Sequence, residues 1–201
     1  MKKLIPCLLT ILILLLFVAI IPVTSTELIC KDPVVVLVDG FTTYDLVEFM
    51  KATYHLKDGD TLKVISIGGG GEAITCMAMI NHLEELKTRG VNIITEIQGM
   101  ACSANAFIWL AGSERVVHRH DLVMFHLGSV RDAYGNKVDI EDLEPDRQMI
   151  VRHINRYLRF KLTSIIRDTE IVNNMLQKDI DSWYTGLQLF EAGVATKMVE
   201  N

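Results

Sequence analysis

VNIITEIQGMACSANAFIWLAGSERVVHRHDLVMFH, residues 91–126, alternates the two kinds of secondary structure at short range. Val91 to Ile97 is rich in β-branched residues and reads as a buried strand. A glycine, Gly99, then turns the chain. Ala101 to Ala111 is a run of small and apolar residues that reads as a helix. Arg115 to His118 and Leu122 to Phe125 read as two short strands, and His126 follows the second.

The same alternation extends in both directions. Upstream, Pro33 to Val38 (PVVVLV) is a β-branched run closed by Asp39-Gly40. Thr42-Thr43 can cap a helix from about Tyr44 to His55. Lys57 to Asp60 is a turn, Leu62 to Ile67 a strand, and Glu72 to Thr88 a helix stopped at Arg89-Gly90. Downstream, Ile140 to Arg167 is helical in pattern, with Ile150, Ile154, Tyr157, Leu158 and Leu162 at helical spacing and Pro145 marking its first turn. A last helix carries Leu187 to Ala192 and ends at Gly193. Strands alternating with helices predict an α/β chain built from parallel βαβ units.

The first 26 residues are of another composition. Met1-Lys2-Lys3 supplies positive charge, and Leu4 to Val23 contains no charged residue. That run is as long as the ~20 residues a bilayer-spanning helix needs, and longer than a common signal-peptide core of ~7–15 residues. Residues 1–26 are therefore expected to be a membrane anchor or a signal peptide. Residues 27–32 form a linker and 33–201 one domain. The basic end would stay inside, which places the domain on the exported side of a membrane.

Composition excludes some classes. The net charge is −5 and no Lys/Arg run exceeds two residues, so no basic face for nucleic acid is expected. Four cysteines occur, at 7, 30, 76 and 102, with no CxxC pair. Cys76 and Cys102 stand in apolar contexts and read as buried small side chains. His118, His120 and His126 are conceivable metal ligands, but no acidic pattern accompanies them, so neither metal nor cofactor is expected.

Three segments carry candidate chemistry. Gly68 to Gly71 follows a strand and precedes a helix, so its backbone N–H groups can approach a developing anion. Glu72 stands where a phosphate loop has Gly-Lys, which argues against a nucleotide. Ser103 sits in GMACSANA, with small neighbours that leave room for a substrate; Cys102 is its rival, expected to point about 100° away on a helix. His126, at a strand end, can act as general base for a nearby serine. Asp179 or Asp181, in KDIDSWYT, can orient that imidazole.

Glycine loop, serine, histidine and aspartate occur in an order that resembles the proteolytic subunit of the Clp protease. GMACSANAF is similar to that family's nucleophile turn and DLVMFH to its strand ending in histidine. KDIDSWYTGLQLFEAGVA resembles its aspartate segment, and PVVVLVDG and LKVISIGGGG its first strand and oxyanion loop. The resemblance covers about residues 33 to 199. It implies a ClpP/crotonase-like fold with a long handle helix, and a serine endopeptidase acting through an acyl-enzyme. Carried over, Ser103 is the nucleophile, His126 the base and Asp179 its partner, with Asp181 as rival. Backbone N–H groups of Gly70 or Gly71 and of Ala104 are the oxyanion donors. The implied partners are peptide or unfolded protein and further copies of the chain in stacked rings. An ATP-driven unfoldase is not expected, because an exported domain meets no ATP. Two departures stand out: Gly68-Gly69 replaces the family's Ser-Pro, and Asn105 stands where it has glycine. The alternatives are a membrane-anchored scaffold without activity and a crotonase-type acyl-thioester enzyme.

Overall fold

The computed structural model describes residues 32–200, apart from 133, 135 and 167, and they belong to one compact unit. The expected anchor or signal peptide lies outside the described residues. Among those described, no helix is long and apolar enough to cross a membrane.

The chain is mixed α/β. In order it forms β1 (Val34–Val38), α1 (Thr43–Thr53), β2 (Thr61–Gly68), α2 (Ala73–Thr88), β3 (Asn92–Cys102) and α3 (Ala104–Leu110). Next come β4 (Glu114–His118), β5 (Leu122–Phe125) and a small hairpin, β6 (Val130–Arg131) with β7 (Lys137–Val138). A 3-10 turn at Ile140–Asp142 leads to α4 (Pro145–Ile165) and α5 (Thr169–Met175). The chain closes with β8 (Ser182–Thr185), α6 (Gly186–Glu191) and β9 (Lys197–Val199).

The main sheet runs β1-β2-β3-β4-β9, and every neighbouring pair in that path is parallel. The length of β3 creates a branch. Its first half pairs with β4, through Ile94–Glu96, and its second half with β5, through Met100–Cys102. β8 then adds to β5 in antiparallel sense. Parallel strands need helices on their faces to bury them. Ile80, Leu83 and Leu86 of α2, Ile108 and Trp109 of α3, and Leu162 of α4 supply that cover and are fully buried against the sheet's Leu62, Val64, Ile93 and Ile97.

Local signals explain several boundaries. Thr42 caps α1: its hydroxyl accepts from the Asp45 N–H at 3.2 Å, and the Asp45 carboxylate accepts from the Thr42 N–H at 2.7 Å. Pro145 opens α4, where its missing N–H has no helical partner to lose. Two expectations need correction. The expected helix from Ala101 begins only at Ala104, because residues 98–102 are drawn into the sheet by pairing on both sides, Gly68↔Ala101 and Met100↔Leu122. The long helix begins at Pro145, not Ile140, and ends at Ile165.

Candidate active site

The end of β3, the end of β5 and the start of β8 meet at one point. The Ser103 N–H donates to the Met124 carbonyl at 2.9 Å, which ties the residue after β3 to the strand that leads to His126. Ser103 itself has φ 54° and ψ −121°. A side-chain-bearing residue in such a conformation is strained by roughly 1–3 kcal/mol and persists only where its surroundings enforce it. The sharp turn from strand into α3 leaves the hydroxyl facing the histidine. Ser103 Oγ and His126 Nε2 are 2.7 Å apart, a good hydrogen bond.

On the far side of the imidazole, His126 Nδ1 is 3.3 Å from the Asp181 carboxylate. The register explains why Asp181 stands there. Phe125 pairs with Ser182 in the antiparallel β5–β8 ladder, so one further step sets His126 opposite Asp181. Asp179 is turned elsewhere. It has φ 62°, and its carboxylate lies 3.2 Å from Lys137 Nζ. Of the two carboxylates left open by the sequence, the one beside His126 is that of Asp181.

The glycine loop closes the site from β2. Gly70 has φ 92°, and a Cβ built on it would stand 2.8 Å from both Ser103 Cβ and the Cys102 carbonyl, and 3.0 Å from the Ala104 nitrogen. The main chain of the loop therefore abuts the serine and the Ala104 N–H. Gly71, the other expected donor, lies against Phe41, where a Cβ would come within 2.9 Å. Gly70→Ala meets backbone, which cannot move aside, in a conformation that disfavours any Cβ. We expect that variant to lose at least about 10²-fold in turnover, since an ångström of misplacement at a reacting centre has that scale of effect. Steady-state rates against the parent check this.

Other residues that position the site were not legible in the sequence. The buried Asp121 carboxylate accepts from the Gly99 N–H at 2.7 Å and from the His118 N–H at 2.6 Å, which clamps the late half of β3 to the turn before β5. Asn155 of α4 accepts from the Gly128 N–H at 2.7 Å and holds the chain that leaves His126. Beside it opens a cleft of about 230 Å³, lined among others by Leu127, Ser129, Lys137, Val138 and Asp179.

Cys102 is not a competitor for Ser103. It closes β3 rather than standing on a helix, and it is buried. Burial pushes its thiol up, and the neighbouring Asp181 carboxylate adds to that. Burial pushes the Cys76 thiol up to about 12. A raised pKa leaves less thiolate at a given pH, and the thiolate is what reacts. At pH 8, iodoacetamide is expected to leave Cys76 and Cys102 unmodified in the folded protein and to modify both after denaturation, as read by peptide mass mapping.

Among the described residues no group of His, Cys, Asp and Glu is arranged to hold a metal ion. His118 instead lies 3.4 Å from Glu96, whose carboxylate also meets Lys63 at 2.6 Å and Gln98 at 2.7 Å. No protein-family model matches the chain, and no curated protein is significantly similar to it. The arrangement itself is a hydroxyl, an imidazole and a carboxylate in succession, with a glycine main chain close to the serine Cβ and the Ala104 nitrogen. Chemically, it can activate the oxygen by removing its proton and can receive an anion beside it.

Proposed function

We propose that the chain is a serine-type endopeptidase of the Clp proteolytic-subunit kind, with the ClpP/crotonase-like fold that the sequence resemblance implies. The observation that carries this reading is the 2.7 Å contact between Ser103 Oγ and His126 Nε2, at a serine held with φ 54°. A serine packed merely as a small residue has no need of a strained backbone or an imidazole partner.

In the proposed reaction His126 Nε2 takes the Ser103 proton as Oγ attacks the peptide carbonyl. Asp181, 3.3 Å from His126 Nδ1, stabilises the imidazolium by its negative charge. The carbonyl oxygen becomes an oxyanion facing the main chain of Gly70 and Ala104. His126 then protonates the leaving amine, and water repeats the sequence on the acyl-enzyme. Asp181 replaces Asp179 in this scheme, for the geometric reason given above. The substrate is peptide or unfolded protein entering the cleft beside His126.

Assembly into rings, implied by the resemblance, is supported by apolar side chains left exposed on α4 (Met149, Ile150, Phe160) and on the edge strand β1 (Val35, Leu37). The test of the function is incubation of the full-length protein with a reduced, unfolded protein, without ATP. Peptide products that vanish after fluorophosphonate treatment are expected. Hydrolysis of acyl-thioesters with no peptide products would favour the crotonase-type alternative.

A further inference from the structure

Four successive glycines are a poor support for a catalytic loop. Glycine has more backbone freedom than any other residue, and a donor to an oxyanion acts only if it is held in place before the reaction. Here the sheet holds only its first residue, Gly68, through the pair with Ala101. The β2–β3 register shifts between Ser66 and Gly68, where the loop begins.

Another connection stands at that break. Ser66 is fully buried, and its hydroxyl hydrogen is shared between the Asn105 carbonyl, at 2.8 Å, and the Asn105 side-chain Oδ1, at 3.0 Å. Asn105 is fully buried as well, two residues after Ser103 in the first turn of α3. Its Nδ2 faces the loop: a Cβ built on Gly68 would stand 3.3 Å from it and 3.3 Å from the Asp39 carbonyl. That Nδ2 has no hydrogen-bond partner among the described residues. The helix that follows the loop, α2, is tied to the same turn, where the Cys76 thiol reaches the Ala104 carbonyl at 3.4 Å.

A buried amide with an unmatched donor destabilises a fold unless something else requires it. From this placement we infer that Asn105, with Ser66, is a positioning residue for the proposed reaction: it fixes the Gly68–Gly71 main chain against Ser103. The inference rests on the serine-peptidase reading. It assigns to a buried side chain the stiffness that Gly68-Gly69 does not provide. Asn105 touches neither the substrate nor the reacting atoms, and acts through the loop.

The test uses full-length protein and a p-nitrophenyl ester as acyl donor. Asn105→Ala and Ser66→Ala are each expected to lower kcat by about 10- to 100-fold at unchanged KM. The double variant should be no slower than the slower single, because the two residues act as one unit. Asn105→Ser places a smaller polar group, a hydroxyl, at the position; it should restore part of kcat relative to alanine, and it carries the test if Asn105→Ala does not fold. A folded Asn105→Ala or Asn105→Ser with the parent's kcat overturns the inference, as does a loss confined to KM. Ser103→Ala separates the two levels. If it hydrolyses the ester at the parent's rate, the serine reading falls and the inference with it. If it is inactive while the Asn105 variants keep full kcat, the inference alone falls.

Discussion

Ser103→Ala is expected to lower peptide hydrolysis by about 10⁴-fold or more, with the fold unchanged. The size follows from the role. Without Oγ no acyl-enzyme forms, and what remains is whatever the Gly70–Ala104 region and substrate binding contribute to direct attack by water. The fold should survive because what the hydroxyl bonds is the His126 imidazole, at 2.7 Å, and not a main-chain group of the core. Alanine keeps the Cβ and meets the same φ of 54° as serine, so the strain at the turn is not increased. Thermal unfolding and peptide turnover on the same preparation check both halves. A variant as stable as the parent and as active would remove Ser103 from the mechanism.

The second large effect separates two carboxylates two residues apart. Asp181→Asn is expected to lower kcat by about 10²-fold or more, while Asp179→Asn stays within about three-fold of the parent. Removing the negative charge beside Nδ1 withdraws its stabilisation from the imidazolium and favours the wrong tautomer. The loss can reach about 10⁴-fold where such an aspartate is buried. Here the Asp181 side chain is 56% exposed, so water screens part of the interaction and the smaller figure applies. Asp179 faces Lys137, itself 37% exposed, and such exposed pairs contribute little. Steady-state kinetics of the two asparagine variants decide between them. The reverse ranking would return Asp179 to the role the sequence resemblance implied.

Much of the α/β alternation was legible because it is local. PVVVLV, LKVISI and VNIITEI are β-branched runs bounded by turn residues, and they became β1, β2 and the first half of β3. What the sequence concealed was non-local. Gln98 to Cys102 contains glycine, methionine and alanine, with no strand preference of its own. It is a strand because Ala101 and Met100 have partners on either side. SWYT is too short to announce β8, and only its pairing with β5 makes it one. That omission has a consequence at the site. Without β8 nothing distinguishes Asp179 from Asp181, whereas its register sets Asp181 opposite His126 and the left-handed turn at Asp179 sends that side chain to Lys137. Ser103 and His126 were each visible at the end of a strand-like run. Their meeting depends on β3 and β5 lying side by side.

The positioning residues were hidden for a related reason. Asp121, Asn155 and Ser66 bond main-chain groups distant in sequence, at Gly99, Gly128 and Asn105, and the Asn105 side chain accepts from the distant Ser66 hydroxyl; no local pattern marks such a side chain. Buried polar residues in otherwise apolar surroundings are the signal, and burial is known only once the chain is folded.

The proposed mechanism stands on Ser103 being a nucleophile activated by His126. Labelling of the full-length protein with a fluorophosphonate probe, followed by peptide mapping, tests it most directly. A single modified residue, Ser103, is expected, with labelling lost in His126→Ala. A folded protein that takes up no probe at Ser103, or takes it up equally without His126, would contradict it.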